Sequence, residues 1–155
     1  MSKFPAVTRR VLRMIESYKA RRRVAGYDIF AVVEEPIRKL TPHTALEAID
    51  SIYSSASRAV GNDCLFRFIQ VGFGSTEILL DIPNTTISAT EAEFIIRSRS
   101  GFFFERERTQ EPSNFNPLQK IYRHGDEADL ADDIAYIFVE VWHHPAEIPL
   151  ELQFD

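Results

Sequence analysis

Two short stretches of the chain concentrate residues able to do chemistry. His124, Asp126, Glu127 and Asp129 form one, and His143, His144 and Glu147 form the other. Histidine with carboxylates is the raw material of metal sites and of acid–base pairs. The spacing argues against a metal. Two-histidine helical sites set their imidazoles one turn apart, whereas adjacent His143 and His144 diverge. The stretch Asp126 to Asp133 lacks the glycine and closing glutamate of a calcium-binding loop. Cys64 is the single cysteine, so no intrachain disulfide forms, and within its apolar run it reads as a buried structural thiol. Gly74-Ser75 falls in a turn with no Gly-x-Ser-x-Gly around it. Gly72-Phe73-Gly74 lacks the third glycine of a dinucleotide site, and no phosphate-binding Gly-Lys-Ser/Thr occurs. Carboxylate pairs such as Glu34-Glu35 and Glu105 with Glu107 are plentiful, but plenty without a pocket is no argument for acid–base work. No catalytic residue, metal or cofactor is therefore expected. An enzyme whose site gathers around His124 is the third-ranked reading.

Charge supplies the next candidates. The formal net charge of −5 is modest but unevenly spread. Met1 to Arg23 holds eight Lys or Arg against one acid, Glu16, and the remainder holds ten against 22. From His124 to Asp155 there are nine acids and no Lys or Arg. Arg9, Arg10, Arg13, Lys19, Arg21, Arg22 and Arg23 could line phosphates, where each contact adds salt-dependent affinity. Against this stand the acidic bulk and the residues after Thr41, where a helix-turn-helix protein would carry its reading side chains. That stretch presents His43, Glu47, Asp50 and only Arg58. Asp126, Glu127, Asp129, Asp132 and Asp133 form the opposite pole, able to stabilise a helix N-terminus or to offer carboxylates to a basic partner.

Aromatic content is generous, with twelve Phe and five Tyr. In Phe102-Phe103-Phe104 alternate residues of a strand point to opposite faces, so one side chain at least lies off the main core. If uncovered, it is an anchor for a partner.

These residues need elements to hold them. Phe4, Val7, Val11, Met14, Ile15 and Tyr18 recur at three- and four-residue steps, predicting a helix over 5–23 with the arginines mainly on its other side. Residues 27–40 are ambiguous: Ile29, Val33, Ile37 and Leu40 keep helical spacing, and helix is preferred over strand although the β-branched residues pull the other way. Thr41-Pro42 opens a helix that Gly61-Asn62 closes. Residues 64–71 and 76–82 predict a hairpin around Gly72-Phe73-Gly74-Ser75, and apolar residues on both faces make its strands central in a sheet. Ser88 and Glu91 have capping-box spacing for a helix over 89–98. Strands are expected over 102–108 and 118–124, with a loop over 110–117 between them. Leu130, Ile134, Ile137, Phe138 and Val141 mark a helix over 126–142 that Pro145 stops. Alternation of Leu150, Leu152 and Phe154 with Glu151, Gln153 and Asp155 predicts a half-buried terminal strand.

The expected fold is thus a single α+β domain over 1–155, its N-terminal helices followed by a mainly antiparallel sheet, a C-terminal amphipathic helix and a terminal strand. No segment has the length of apolar chain a membrane helix requires, and Met1 to Arg10 shows no secretory signal, so no membrane partner and a cytoplasmic address are expected. The expected function is a non-enzymatic protein–protein interaction domain of inhibitor, immunity or chaperone type. It would bind another protein through Asp126, Glu127, Asp129, Asp132, Asp133, Phe102, Phe103 and Phe104, with a homodimer left open. The alternative is a nucleic-acid-associated protein using the first helix.

Overall fold

The computed structural model describes residues 4–21, 28–34, 67–83, 86–104 and 117–154. Among them are three α-helices and a six-stranded antiparallel sheet, an α+β fold. Helix α1 spans Pro5–Arg21, and strand β1 spans Asp28–Glu34. Strands β2 (Phe68–Phe73) and β3 (Glu77–Ile82) follow, then α2 (Ala89–Ser98) and the short β4 (Phe103–Phe104). Strand β5 (Leu118–Arg123), α3 (Glu127–Tyr136) with a π-helical extension (Ile137–Val141), and β6 (Leu150–Phe154) complete it. Sheet order is β4-β5-β3-β2-β1-β6, with every pairing antiparallel.

Alternation along the strands explains the layering. Ile69, Val71 and Phe73 on β2, Ile78, Leu80 and Ile82 on β3, and Leu118 and Tyr122 on β5 are buried on one face. They join one core cluster with Val7, Val11 and Ile15 of α1, Ala92 and Ile95 of α2, and Leu130, Ile134, Ile137 and Phe138 from α3 and its extension. All three helices therefore cover the same side of the sheet, and α1 packs along α3.

Residues 28–34 correct the helical preference for 27–40: they are a strand held between β2 and β6. Asp-Ile-Phe-Ala-Val-Val-Glu is mostly β-branched and aromatic, and pairing on both edges satisfies the backbone groups that a helix would have satisfied internally. The hairpin loop also lies two residues later than expected. Phe73 still pairs with Ile78, and the Gly74 N–H donates to the Glu77 carbonyl at 2.9 Å, leaving Ser75 and Thr76 as the loop. The Ser88/Glu91 capping box forms in full, with the Glu91 N–H donating to Ser88 Oγ at 3.1 Å and the Ser88 N–H to Glu91 Oε1 at 2.9 Å. The helix expected over 41–61, the loop expected over 110–117 save its last residue, and Cys64 lie outside the described residues.

The predicted final helix is present, but its last part is wider than α. At about 100° per residue, α-winding would spread Ile137, Phe138, Val141 and Trp142 over roughly 140° of the helix surface. The π-segment turns less per residue and draws them together; all four are buried. His143 then takes a left-handed conformation, φ 59°, and lets the His144 N–H fold back onto the Phe138 carbonyl at 3.0 Å. This is a Schellman-like close, widened by the π-turn.

Candidate functional site

The acidic pole divides into inward and outward halves. Asp133 is almost wholly buried, its side chain 6% exposed. It accepts the Tyr122 hydroxyl at 2.5 Å, Lys120 Nζ at 2.7 Å and Arg99 Nε at 3.0 Å. Asp132 accepts Arg99 at 2.7 Å and the Thr8 hydroxyl at 3.1 Å. Glu127 accepts Lys19 Nζ at 2.5 Å and the Gly125 N–H at 3.0 Å. Asp126, at the N-cap position, makes no side-chain cap, and it and Asp129 are exposed.

Electrostatics follow from these partners. Burial works against the charge of Glu127, but Lys19 and the neighbouring backbone N–H groups outweigh it and hold the carboxyl below its usual range. Burial likewise opposes the Arg99 guanidinium, and Asp132 and Asp133 outweigh it and raise its pKa. Burial first, then the Asp133 charge, pushes the Tyr122 hydroxyl far above the ordinary tyrosine value, so it stays protonated and donating. Three donors thus converge on the Asp133 carboxylate. Arg99 leaves the end of α2, Lys120 and Tyr122 come from β5, and Thr8 comes from α1, so the cluster joins the three described helices to the sheet.

On the basic pole, Arg10 donates to the carbonyls of Ile148 (2.6 Å) and Ala146 (2.7 Å), and Lys19 is taken by Glu127. Arg9 and Arg13 are exposed, one turn apart, without an ion-pair partner among the described residues. Arg21 ends α1; its side chain, with Arg22 and Arg23, lies outside the described residues. The two poles therefore meet in part: α1 lies against α3, and each contributes one member to the Lys19–Glu127 pair.

The three phenylalanines part company as alternation requires. Phe102 is buried, with Lys120 Nζ 5.3 Å from its ring, and Phe104 packs against the core. Phe103 is 39% exposed on the sheet face away from the helices. That face carries a second exposed apolar side chain, Ile121, at 49%. Its cross-strand partner is the half-buried Leu79, and Phe103 sits opposite Gln119, diagonal to Ile121. Cross-strand neighbours lie about 5 Å apart and diagonal ones about 7 to 8 Å, so Phe103, Ile121 and Leu79 form one patch. Around it, Gln119 Nε2 donates to Asp81 at 2.9 Å, and Arg123 lies opposite Glu77, both exposed. Nearer β1 the same face is buried at Ala31, Phe68 and Gly72.

Ile121 and Leu79 are absent from the residues that sequence reasoning singles out. The signal was present: in Leu-Gln-Lys-Ile-Tyr-Arg, Ile121 falls in phase with Gln119 and Arg123, the polar positions. Leu79 likewise falls in phase with Glu77 and Asp81.

Among the described residues, the histidines join no group of carboxylates able to hold a metal ion. His124 Nε2 lies 2.7 Å from the Gly74 carbonyl, and its ring stacks on Phe73 at 6.0 Å between centroids. His143 is exposed, while His144 stands beside Phe138, 6.0 Å between ring centroids. Among the described residues no three His, Cys, Asp or Glu side chains are placed to hold a metal ion, and no helix is long and apolar enough to cross a membrane. No protein-family model, curated protein or solved structure matches the chain.

Proposed function

We propose that this chain is a non-enzymatic protein-interaction domain, acting in the cytoplasm, whose partner docks on the face of β3 and β5, with Phe103, that lies away from the three described helices. One observation carries the reading. Of the three large apolar side chains exposed among the described residues, two, Phe103 and Ile121, adjoin on that face. Scattered exposed apolar residues need no explanation, whereas adjoining ones with a polar rim are what an interface centre requires. Asp126 and Asp129, exposed at the start of α3, offer a basic partner carboxylates on the helix side of the sheet. Glu127, Asp132 and Asp133 serve the fold. An inhibitory, immunity or escort role would follow from the partner's identity.

Capture from the native host tests the reading, comparing the wild-type chain with Ile121→Glu, Phe103→Ser and the pair Asp126→Lys/Asp129→Lys. Ile121→Glu should abolish capture of the partner and Phe103→Ser weaken it, with thermal stability close to wild type because both side chains are exposed. Undiminished capture by a folded Ile121→Glu chain would sink the proposal.

Exposed Arg9 and Arg13, one turn apart, favour a second reading as a nucleic-acid contact. It is the weaker one, since Arg10 and Lys19 already have partners within the fold.

A further inference from the structure

Each row of the face just assigned to a partner, read across β5 and β3, is a complementary couple. Arg123 lies opposite Glu77, Ile121 opposite Leu79, and Gln119 opposite Asp81. These are a cation with an anion, an apolar side chain with an apolar side chain, and an amide with a carboxylate. We infer that this face docks on the same face of a second copy of the chain, about a two-fold axis parallel to the strands; the inference rests on the interaction reading above.

Geometry selects that axis. Rotation about a line along the strands, midway between β5 and β3, brings β5 of one copy over β3 of the other without reversing the rows. Arg123 then meets Glu77 of the second copy, Ile121 meets its Leu79, and Gln119 meets its Asp81; each contact occurs twice, as an isologous interface demands. The alternative in-plane axis, perpendicular to the strands, reverses the rows and sets Glu77 over the second copy's Asp81, carboxylate on carboxylate. Arg123 and Glu77 are both exposed and make no ion pair among the described residues, so each is available across the two-fold.

Size limits the strength. The two strands that exchange places, about 4.8 Å apart, and six residues of about 3.4 Å give a footprint of roughly 10 by 20 Å. That is well under the roughly 800 Å² per partner of a standard stable interface, so the dimer belongs to the weak, reversible class. The net charge of −5 opposes self-association at low salt, and screening at physiological ionic strength relieves it.

Sedimentation equilibrium on the full chain across the micromolar range, at physiological salt, tests the inference with two single reversals, Arg123→Glu and Glu77→Arg. Wild type should show a concentration-dependent monomer–dimer equilibrium. Each reversal alone places like charges across the two-fold and should weaken it by about tenfold or more. An equimolar mixture of the two reversed chains should regain dimers. One chain then carries carboxylates at both positions and the other guanidinium groups at both, so every contact across the two-fold is again a cation with an anion. Wild type that stays monomeric throughout the range, single reversals that dimerise as wild type does, or a mixture that fails to recover would each overturn the second-copy assignment. If wild type is monomeric but Ile121→Glu still loses its captured partner, the interaction reading stands with a different occupant. If Ile121→Glu changes neither self-association nor capture, both fall.

Discussion

Asp133 shows how a residue can look like a binding site in the sequence and belong to the fold. It lies in a run of acids, yet Tyr122, Lys120 and Arg99 enclose it. Removing its charge takes the carboxylate from Lys120 and leaves Arg99 with Asp132, both cations being partly buried. Losing one partner of such a group is costly even where the intact pair adds little. Asp133→Asn should therefore lose about 3 kcal/mol in urea denaturation. Tyr122→Phe, which deletes only one donor to a charged acceptor, should lose about 1 to 2 kcal/mol. Equal, small losses for both would show that the cluster is not coupled. His143 poses the opposite case, a non-glycine residue held at φ 59° with its side chain exposed. Replacing it with glycine removes the left-handed penalty at no packing cost, less the entropy glycine brings to the unfolded chain. His143→Gly should raise stability by about 0.5 to 1 kcal/mol, read from the denaturation midpoint, and a lower midpoint would refute the assignment.

Among elements, α1 is tied to distant parts of the chain along both its apolar stripe and its flanks. Its apolar stripe of Val7, Val11 and Ile15 reaches the core, and Thr8, Arg10 and Lys19 tie its flanks to Asp132, the 146–148 carbonyls and Glu127. The Glu127 carboxyl is held below its ordinary pKa, so the unfolded chain binds that proton first, near pH ~4.3. The stabilisation is fully present above that pH and is lost as pH falls through the folded-state value. Glu127→Gln should be less stable than wild type at neutral pH, and the two should converge as the pH drops below about 4. Denaturation curves at stepped pH check this; a gap independent of pH would remove Glu127 from the acid response. Elements with one strong period were legible: α1, α2 with its capping box, α3 and β6 fall where their apolar spacing puts them. Residues 28–34 were not, because Ile29 and Val33 satisfy a helical step as well as the strand's alternation. Only pairing with β2 and β6, distant in sequence, decides between them. The π-turn was equally hidden, since its residues are ordinary helix formers and the widening answers to packing.

At the scale of the whole molecule, the unequal charge distribution was plain from composition, but its meaning was not. Opposite poles invite the thought of two outside partners, whereas here Lys19 meets Glu127, and Asp132 and Asp133 find Arg99 and Lys120 from the middle of the chain. A charge run does not say which of its members a fold will consume. The exposed patch was legible only in part, at Phe103; Ile121 stood in plain alternation with polar neighbours but gained a partner in Leu79 only once the β3–β5 register existed. The contacts of α1 carry a further consequence, for the order of events during synthesis. Thr8 waits for Asp132, 124 residues later, and Arg10 for Ile148, 138 residues later. At about 5 to 20 residues per second, the first helix leaves the ribosome on the order of ten seconds before its docking surface exists. Through that interval Val7, Val11 and Ile15 are an uncovered apolar stripe flanked by arginines, so the nascent chain is both sticky and cationic until its last third arrives.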